Sequence, residues 1–328
     1  MAVNSSAVKW GVISTADINR KLLAGAAESD DVDVVAVASR DLARAEAYAQ
    51  TWGIDRAYGT YDHLLADPEI EAVYIPLPNT MHSEWSIRAL EAGKHVLCEK
   101  PFSRHITDVE RAFDVAEATG LSLSEAFMYR HHPQTARLAE LVASGVIGEL
   151  RVIRTTFGYS LYDADNIRLR TDVEGGSLMD VGCYCVSGAR LLGGEPESVV
   201  GVAHIGPTGT DWVFSGLMRF PGDVVALFDC GTSLPDRAEL EAVGTEGSVF
   251  LDDPWHCQQP VIELRRDGSV ERIEVEPANP YRLELEDMNA AIRGERPPLL
   301  GRADAIGQVR AIEALFRSAE GEGVVALQ

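Results

Sequence analysis

The strongest constraint on the fold is an alternation. Through about 120 residues, short apolar runs are each followed by a helical stretch, the pattern of a doubly wound parallel sheet. Val8-Lys9-Trp10-Gly11-Val12-Ile13, Val32 to Ser39 and a short run at Arg56-Ala57-Tyr58 read as the first three strands. Glu71 to Thr80, breaking at Pro76 and Pro78, is the fourth, His95 to Cys98 the fifth and Leu121 to Phe127 the sixth. Between them, helices run from the turn after Ile13 to about Glu28, from the Asp41 cap through Gln50, from Ser83 to Glu91 and from Thr107 to Ala118. Gly93 and Gly120 are stop signals for the last two.

After Phe127 the pattern changes. An amphipathic helix, Gln134 to Ser144, and a long strand, Glu149 to Gly158, precede a helix that opens at Gly175-Gly176 and runs to about Leu192. Strands then follow without helices between them, near 199–206, 211–220, 223–231, 237–243, 247–252, 260–266 and 270–276. Consecutive strands at this spacing predict an antiparallel or mixed sheet. Helices over Tyr281 to Arg293 and Arg302 to Ser318 close the sequence. The expected organisation is a dinucleotide-binding α/β domain, residues 1–128, and a substrate-binding α+β domain, residues 129–328.

Charge narrows the partners. A formal net charge of −22 repels phosphate backbones and anionic membranes, so neither nucleic acid nor membrane is an expected partner. No apolar run reaches membrane-spanning length, and the first six residues lack the basic and apolar blocks of a signal peptide. The five cysteines form neither a disulfide framework nor a zinc knuckle, which fits reduced core thiols in a cytoplasm. No metal site is expected: His131 and His132 have no carboxylate cluster at ligand spacing.

Within this frame one stretch stands out. Glu99-Lys100-Pro101 ends the fifth strand and sets a fixed cation at the carboxyl edge of a parallel sheet, where open α/β sheets bind ligands. Lys100 is one of only four lysines in the sequence. Ser14-Thr15-Ala16-Asp17-Ile18 links the first strand to its helix, the place of a phosphate-binding turn, although the glycine fingerprint is missing and an ordinary turn gives the same signal. At the end of the second strand an acidic residue would favour NAD. Ser39, Arg40 and, one turn on, Arg44 instead favour NADP, unless Arg40 merely pairs with Asp41 or Glu46. Pro76, Asn79 and His82 follow the fourth strand. Asp180 and Tyr184, four residues apart in a helix, share a face and suit a sugar hydroxyl, though a helix cap and a core tyrosine read the same way.

These segments together resemble the Gfo/Idh/MocA family of pyridine-nucleotide oxidoreductases over nearly the full length. They are Glu99-Lys100-Pro101, Pro76-x-Pro78-Asn79-Thr80-x-His82, Met128-Tyr129-Arg130-x-His132-Pro133 and Gly175-Gly176-x-x-x-Asp180-x-Gly182-x-Tyr184. The branch is similar to dimeric dihydrodiol dehydrogenase, glucose–fructose oxidoreductase and the NADP-linked aldose dehydrogenases. The resemblance implies an N-terminal Rossmann domain and a C-terminal domain whose large open-faced sheet joins two subunits. It implies hydride transfer between NADP, less readily NAD, and a hydroxyl or carbonyl of a sugar or cyclic polyol. Lys100, Tyr184 and Asp180 would be catalytic. Residues 14–18, Ser39, Arg40, Arg44, Pro76, Asn79, His82, Glu99 and Lys100 would line the cofactor, and Arg168 would join Asp180 and Tyr184 at the substrate. It also makes Lys100–Pro101 an expected cis peptide. Dihydrodiol oxidation is the alternative. A cofactor-sensing regulator or a redox-neutral lyase or hydrolase on the same fold is a remoter one.

Overall fold

The structure, a computed structural model, describes residues 7–327 apart from 162 and 164. In chain order the first elements are β1 (Val8–Ile13), α1 (Asn19–Ala26), β2 (Val32–Ala38), α2 (Leu42–Trp52), β3 (Arg56–Tyr58), α3 (Tyr61–Leu65), β4 (Ala72–Ile75), α4 (His82–Glu91), β5 (His95–Glu99), α5 (Ile106–Thr119) and β6 (Leu123–Ala126). There follow α6 (Pro133–Ala143), β7 (Leu150–Ser160), α7 (Cys183–Gly193), β8 (Ser198–Ile205), β9 (Asp211–Phe220), β10 (Val224–Gly231) and β11 (Ser233–Gly244). The last are β12 (Gly247–Leu251), β13 (Val261–Arg266), β14 (Ser269–Glu274), α8 (Pro280–Ile292), α9 (Arg302–Arg317) and β15 (Val325–Ala326).

Two compact units result. One takes in residues up to Ser103, Thr107–Met128 and Asn279–Ala305, and the other Arg104–Ile106, Tyr129–Ala278 and residues from Ile306 onward. A single division after residue 128 does not describe this arrangement, because α8 returns to the first unit. It packs on α1, where Gly25 lies so close that a Cβ there would stand 2.7 Å from the Arg282 nitrogen.

In the first unit six parallel strands lie in the order β3-β2-β1-β4-β5-β6. The order reverses direction between β1 and β4, which makes their carboxyl ends the topological switch point. Strands covered on both faces lose their polar alternation, and Ala72, Val73, Tyr74 and Ile75 of β4 are all fully buried. Asp41 caps α2 by accepting from the Arg44 N–H at 3.2 Å, and Gly53 ends that helix with φ 69°.

The second unit is built on nine strands in the order β14-β13-β12-β11-β7-β10-β9-β8-β15. Only β7 and β10 run parallel, so the sheet is mixed and mainly antiparallel, as expected. One face carries Phe214, Met218, Ala226 and Phe228, which are buried, and α7 packs against β7 and β10. On the other, cross-strand partners Val200, Leu217, Leu227, Arg154 and Glu241 form a row, and Leu217 and Leu227 are exposed. Arg154 and Glu241 pair at 3.1 Å, so the open face is apolar toward β8 and ionic toward β11.

Candidate active site

Each unit holds one group of the expected residues. In the first, Ser14, Ser39, Pro76 and Lys100 directly follow β1, β2, β4 and β5 at the carboxyl edge of the sheet. Ser14 has φ 108°, a conformation that favours glycine. Side chains brace the turn instead: Ser14 Oγ donates to the Pro76 carbonyl at 3.2 Å and accepts from the Ala16 N–H at 3.3 Å. Buried Asn19 donates to the Ser14 carbonyl at 2.9 Å. This is how a turn of Ser14, Thr15 and Ala16 manages without the glycine fingerprint. Asp17 pairs with Arg20 on the surface at 2.6 Å, and α1 opens after Ile18 with no side-chain cap, the N–H groups of Asn19, Arg20 and Lys21 turning back to the carbonyls of Ala16, Asp17 and Ile18 at 3.2, 3.2 and 2.9 Å.

Ser39 is buried, and its Oγ accepts from the Asp41 N–H at 3.4 Å. Arg40 and Arg44 are exposed, both close enough to Tyr61 to act on its phenol, and neither forms an ion pair among the described residues. Asp41 is spent on the helix cap rather than on Arg40. A hydroxyl with two guanidinium groups that have no carboxylate suits the 2′-phosphate of NADP.

At the end of β5, the Lys100–Pro101 peptide is cis. Glu99 Oε1 accepts from the Tyr74 hydroxyl. Tyr74 is fully buried, and burial together with the Glu99 carboxylate pushes its phenol well above the ordinary range. Asn79 lies in the short turn before α4. His82 sits differently from expectation. It is 1% exposed, with Nδ1 2.9 Å from the Pro101 carbonyl and Nε2 2.7 Å from the Leu77 carbonyl. Both ring nitrogens therefore face backbone oxygens, and the side chain ties the exit of β4 to the cis-proline rather than lining a cofactor. Burial outweighs these acceptors and lowers its pKa to about 4, so it is neutral at pH 7.

In the second unit, Asp180 and Tyr184 lie where a π-helical turn, Leu178–Gly182, runs into α7. Such turns recur at functional sites. Asp180 receives two donors: Arg168 Nε at 2.9 Å on Oδ1 and the Tyr159 hydroxyl at 2.5 Å on Oδ2. Burial and the Asp180 carboxylate push the Tyr159 phenol upward, so Tyr159 stays protonated and donates. Tyr184, 8% exposed, stands against Phe157 edge-on, with ring centroids 5.3 Å apart, and beside Tyr129 and Trp255 at 5.7 and 6.0 Å. Tyr159 is the residue that the sequence reading missed. The available signal was period two in β7, which puts Phe157 and Tyr159 on one side of the strand.

The adjacent glycines have a structural reason. A Cβ on Gly175 would stand 2.5 Å from the Arg168 carbonyl, and one on Gly176, whose φ is 126°, 2.0 Å from Asp211 Oδ1. Asp211, buried, accepts from Ser177 Oγ at 2.8 Å and the Leu178 N–H at 2.7 Å, fixing the start of the π turn. The pair lets the protein's own groups close in.

Comparison with known proteins agrees with both halves. The model of the oxidoreductase family with an NAD-binding Rossmann fold, Gfo/Idh/MocA, matches residues 8–127, and that of its C-terminal domain matches residues 135–250. The chain belongs to the Gfo/Idh/MocA family. D-xylose 1-dehydrogenase (NADP(+)) 2 of Haloferax volcanii is 38% identical over 97% of this chain and 99% of its own. Trans-1,2-dihydrobenzene-1,2-diol dehydrogenase of Mus musculus is 36% identical over 79% of each. Among solved structures, the 3-ketoreductase KijD10 from Actinomadura kijaniata, in complex with NADP and TDP-benzene, superposes with a TM-score of 0.90 at 31% identity. It covers 95% of this chain and 98% of its own. The chain is thus an oxidoreductase by family, with dehydrogenases and a ketoreductase as relatives. No helix among the described residues is long and apolar enough to cross a membrane.

Proposed function

We propose that this protein is an NADP-dependent oxidoreductase that moves a hydride between the nicotinamide and a hydroxyl or carbonyl of a sugar or related cyclic polyol. The observation that carries the cofactor choice is the exposed pair Arg40 and Arg44 beside Ser39, with no carboxylate partner among the described residues. NADP-linked xylose oxidation and NADP-bound ketoreductase relatives support the substrate class. Trans-dihydrodiol oxidation is the second reading, favoured by the aromatic rings of Phe157, Tyr129 and Trp255 around Tyr184.

The cofactor, when bound, supplies the hydride acceptor or donor. Arg40, Arg44 and Ser39 would hold its phosphate, and the turn from Ser14 to Ile18 would lie at its pyrophosphate. Pro76, Asn79 and Glu99 border the ring end, where His82 contributes by holding the Pro101 carbonyl. Lys100 hydrogen-bonds the reacting oxygen and stabilises the charge that develops there. Tyr184 accepts the hydroxyl proton in oxidation and returns it in reduction. Asp180, set by Tyr159 and Arg168, orients the substrate, and Arg168 adds a cation at that end.

Turnover is read from the absorbance of reduced nicotinamide over aldoses, inositols, ketosugars and aromatic dihydrodiols. Turnover with NADP on a cyclic polyol is expected, and none with any member of the panel contradicts the reading. Arg40→Ala should weaken NADP by roughly 1.5–3 kcal/mol, a lost charge-assisted contact, and leave NAD nearly untouched. Equal losses for both cofactors would remove Arg40 from phosphate recognition.

The proposal extends to assembly and location. The exposed strip of Val202, Leu217 and Leu227 on the second sheet suits burial against a second copy, giving at least a homodimer. Light scattering at micromolar concentration should find twice the 35.6 kDa chain mass, and a purely monomeric species would refute the dimer. Buried cysteines outside any disulfide fit a reducing cytoplasm.

A further inference from the structure

One buried acid of the first unit has no part in the reaction proposed above. Glu125 lies in β6, where Leu123, Ser124, Glu125 and Ala126 are all sealed from solvent, Glu125 being 2% exposed. An ionisable side chain in a covered strand is costly unless hydrogen bonds satisfy it, and Glu is a poor strand former. Its neighbour Ser124 is accounted for by donating Oγ–H to the Leu300 carbonyl at 3.0 Å. Glu125 points to something else. Its Oε1 accepts from the Phe102 N–H at 2.8 Å, two residues past Lys100.

The place of that bond gives it a use. Strand β5 lies between β4 and β6, and its ladder with β6 ends where Glu99 stands opposite Ala126. The Phe102 N–H falls beyond the ladder, and Phe102 is 2% exposed, so an unpaired amide there would be costly. Glu125 carries the pairing on with a side chain. The carbonyl of the same peptide group, that of Pro101, lies 2.9 Å from Nδ1 of buried His82. Both polar ends of the Pro101–Phe102 peptide are thus held, one by a residue that follows β4 and one by a residue of β6. The chain stays fixed beyond it. The Phe102 ring stands 6.3 Å from that of Phe113 in α5, and Ser103 Oγ donates to Asp108 Oδ2 at 3.1 Å. Lys100 therefore has the β5 ladder before it and a clamped peptide after it.

We propose that Glu125 is a positioning residue for Lys100: with His82 it grips the peptide group after Pro101 and so keeps the Lys100 cation at one point of the strand end. The effect on rate rests on the oxidoreductase reading, whereas the clamp does not. A cation that stabilises developing charge must be in place before the charge forms, and a misplacement of about 1 Å can cost ~100-fold in rate. Loss of the clamp should therefore slow the hydride step and leave NADP binding nearly unchanged.

The test uses the intact chain and two variants. Glu125→Gln keeps an acceptor oxygen at the same reach, whereas Glu125→Met keeps bulk alone. Hydrogen exchange of the Phe102 amide should be slow in the wild type and in Glu125→Gln, and at least ~10-fold faster in Glu125→Met. In the NADP-linked assay, Glu125→Met should lower kcat about 10-fold while the KM for NADP changes less than about twofold, and Glu125→Gln should recover most of that loss. Added to Lys100→Met, Glu125→Met should cost no further rate, because it acts through a cation already removed. A freely exchanging Phe102 amide in the wild type, an unchanged kcat in Glu125→Met, equal losses in both variants, or losses that multiply in the double variant would overturn the inference. Should Glu125→Met fail to fold, Glu125→Gln decides: it must keep both the slow amide and most of kcat. Amide exchange needs no turnover, so a wild type with a protected amide that oxidises nothing speaks against the proposed reaction, not against the clamp.

Discussion

The two units hold their site residues by different means. At the end of β5, side chains reach backbone or residues far away in sequence: buried His82 lies between the Leu77 and Pro101 carbonyls, and half-buried Glu99 accepts from Tyr74. At the start of the π turn, Asp180 is held by two side chains, Tyr159 and Arg168, and Arg168 is 45% exposed. The first arrangement is part of the fold, so disturbing it costs stability. The second is set by side-chain hydrogen bonds near solvent, so disturbing it changes orientation more than folding. A strand end that must present one cation at one point needs the former. A surface that meets several hydroxyls is served by the latter.

That contrast can be broken by experiment. The largest effect belongs to His82. Its folded pKa, about 4, lies below the unfolded value near 6.5, so the unfolded chain takes up a proton first as pH falls. The associated stability is complete above about pH 6.5 and is lost on the way down to about 4, amounting to about 3 kcal/mol. Urea unfolding of the wild type over this range should show that loss, and His82→Gln should lack most of it. Equal pH slopes in both would mean that the histidine titrates as freely as in the unfolded chain. A smaller, kinetic effect is expected on the other side. Tyr159→Phe removes one donor from Asp180 and should lower kcat/KM roughly 10-fold, the share of one hydrogen bond to a charged group, with little change in the urea midpoint. A variant that unfolds more readily but turns over normally would reverse the contrast.

Much of this was legible in the sequence, for a physical reason. Alternating apolar strands and helices, and then strands without helices, are local patterns, and the two sheets follow from them. Lys100 and Arg40 could be placed because each lies just after a strand whose end is marked by composition, and the cis peptide because the family resemblance implied it. What stayed hidden depends on partners distant in sequence. Helix α8 returns to the first unit, which no local signal announces. Tyr159 gains its role from Asp180, 21 residues on. His82 looked like a cofactor ligand because its spacing after β4 said nothing of the two carbonyls that occupy it.

The central claim is that the Lys100 cation and the Tyr184 phenol assist the hydride step. Single-turnover absorbance of reduced nicotinamide tests it most directly, with enzyme in excess over substrate and NADP saturating. Lys100→Met and Tyr184→Phe should each slow the transient at least ~100-fold, the range for a positioned acid–base or electrostatic group, while NADP still binds and the protein still folds. Transients within a few-fold of wild type in both variants would contradict the account, leaving the fold in place and the chemistry to other residues.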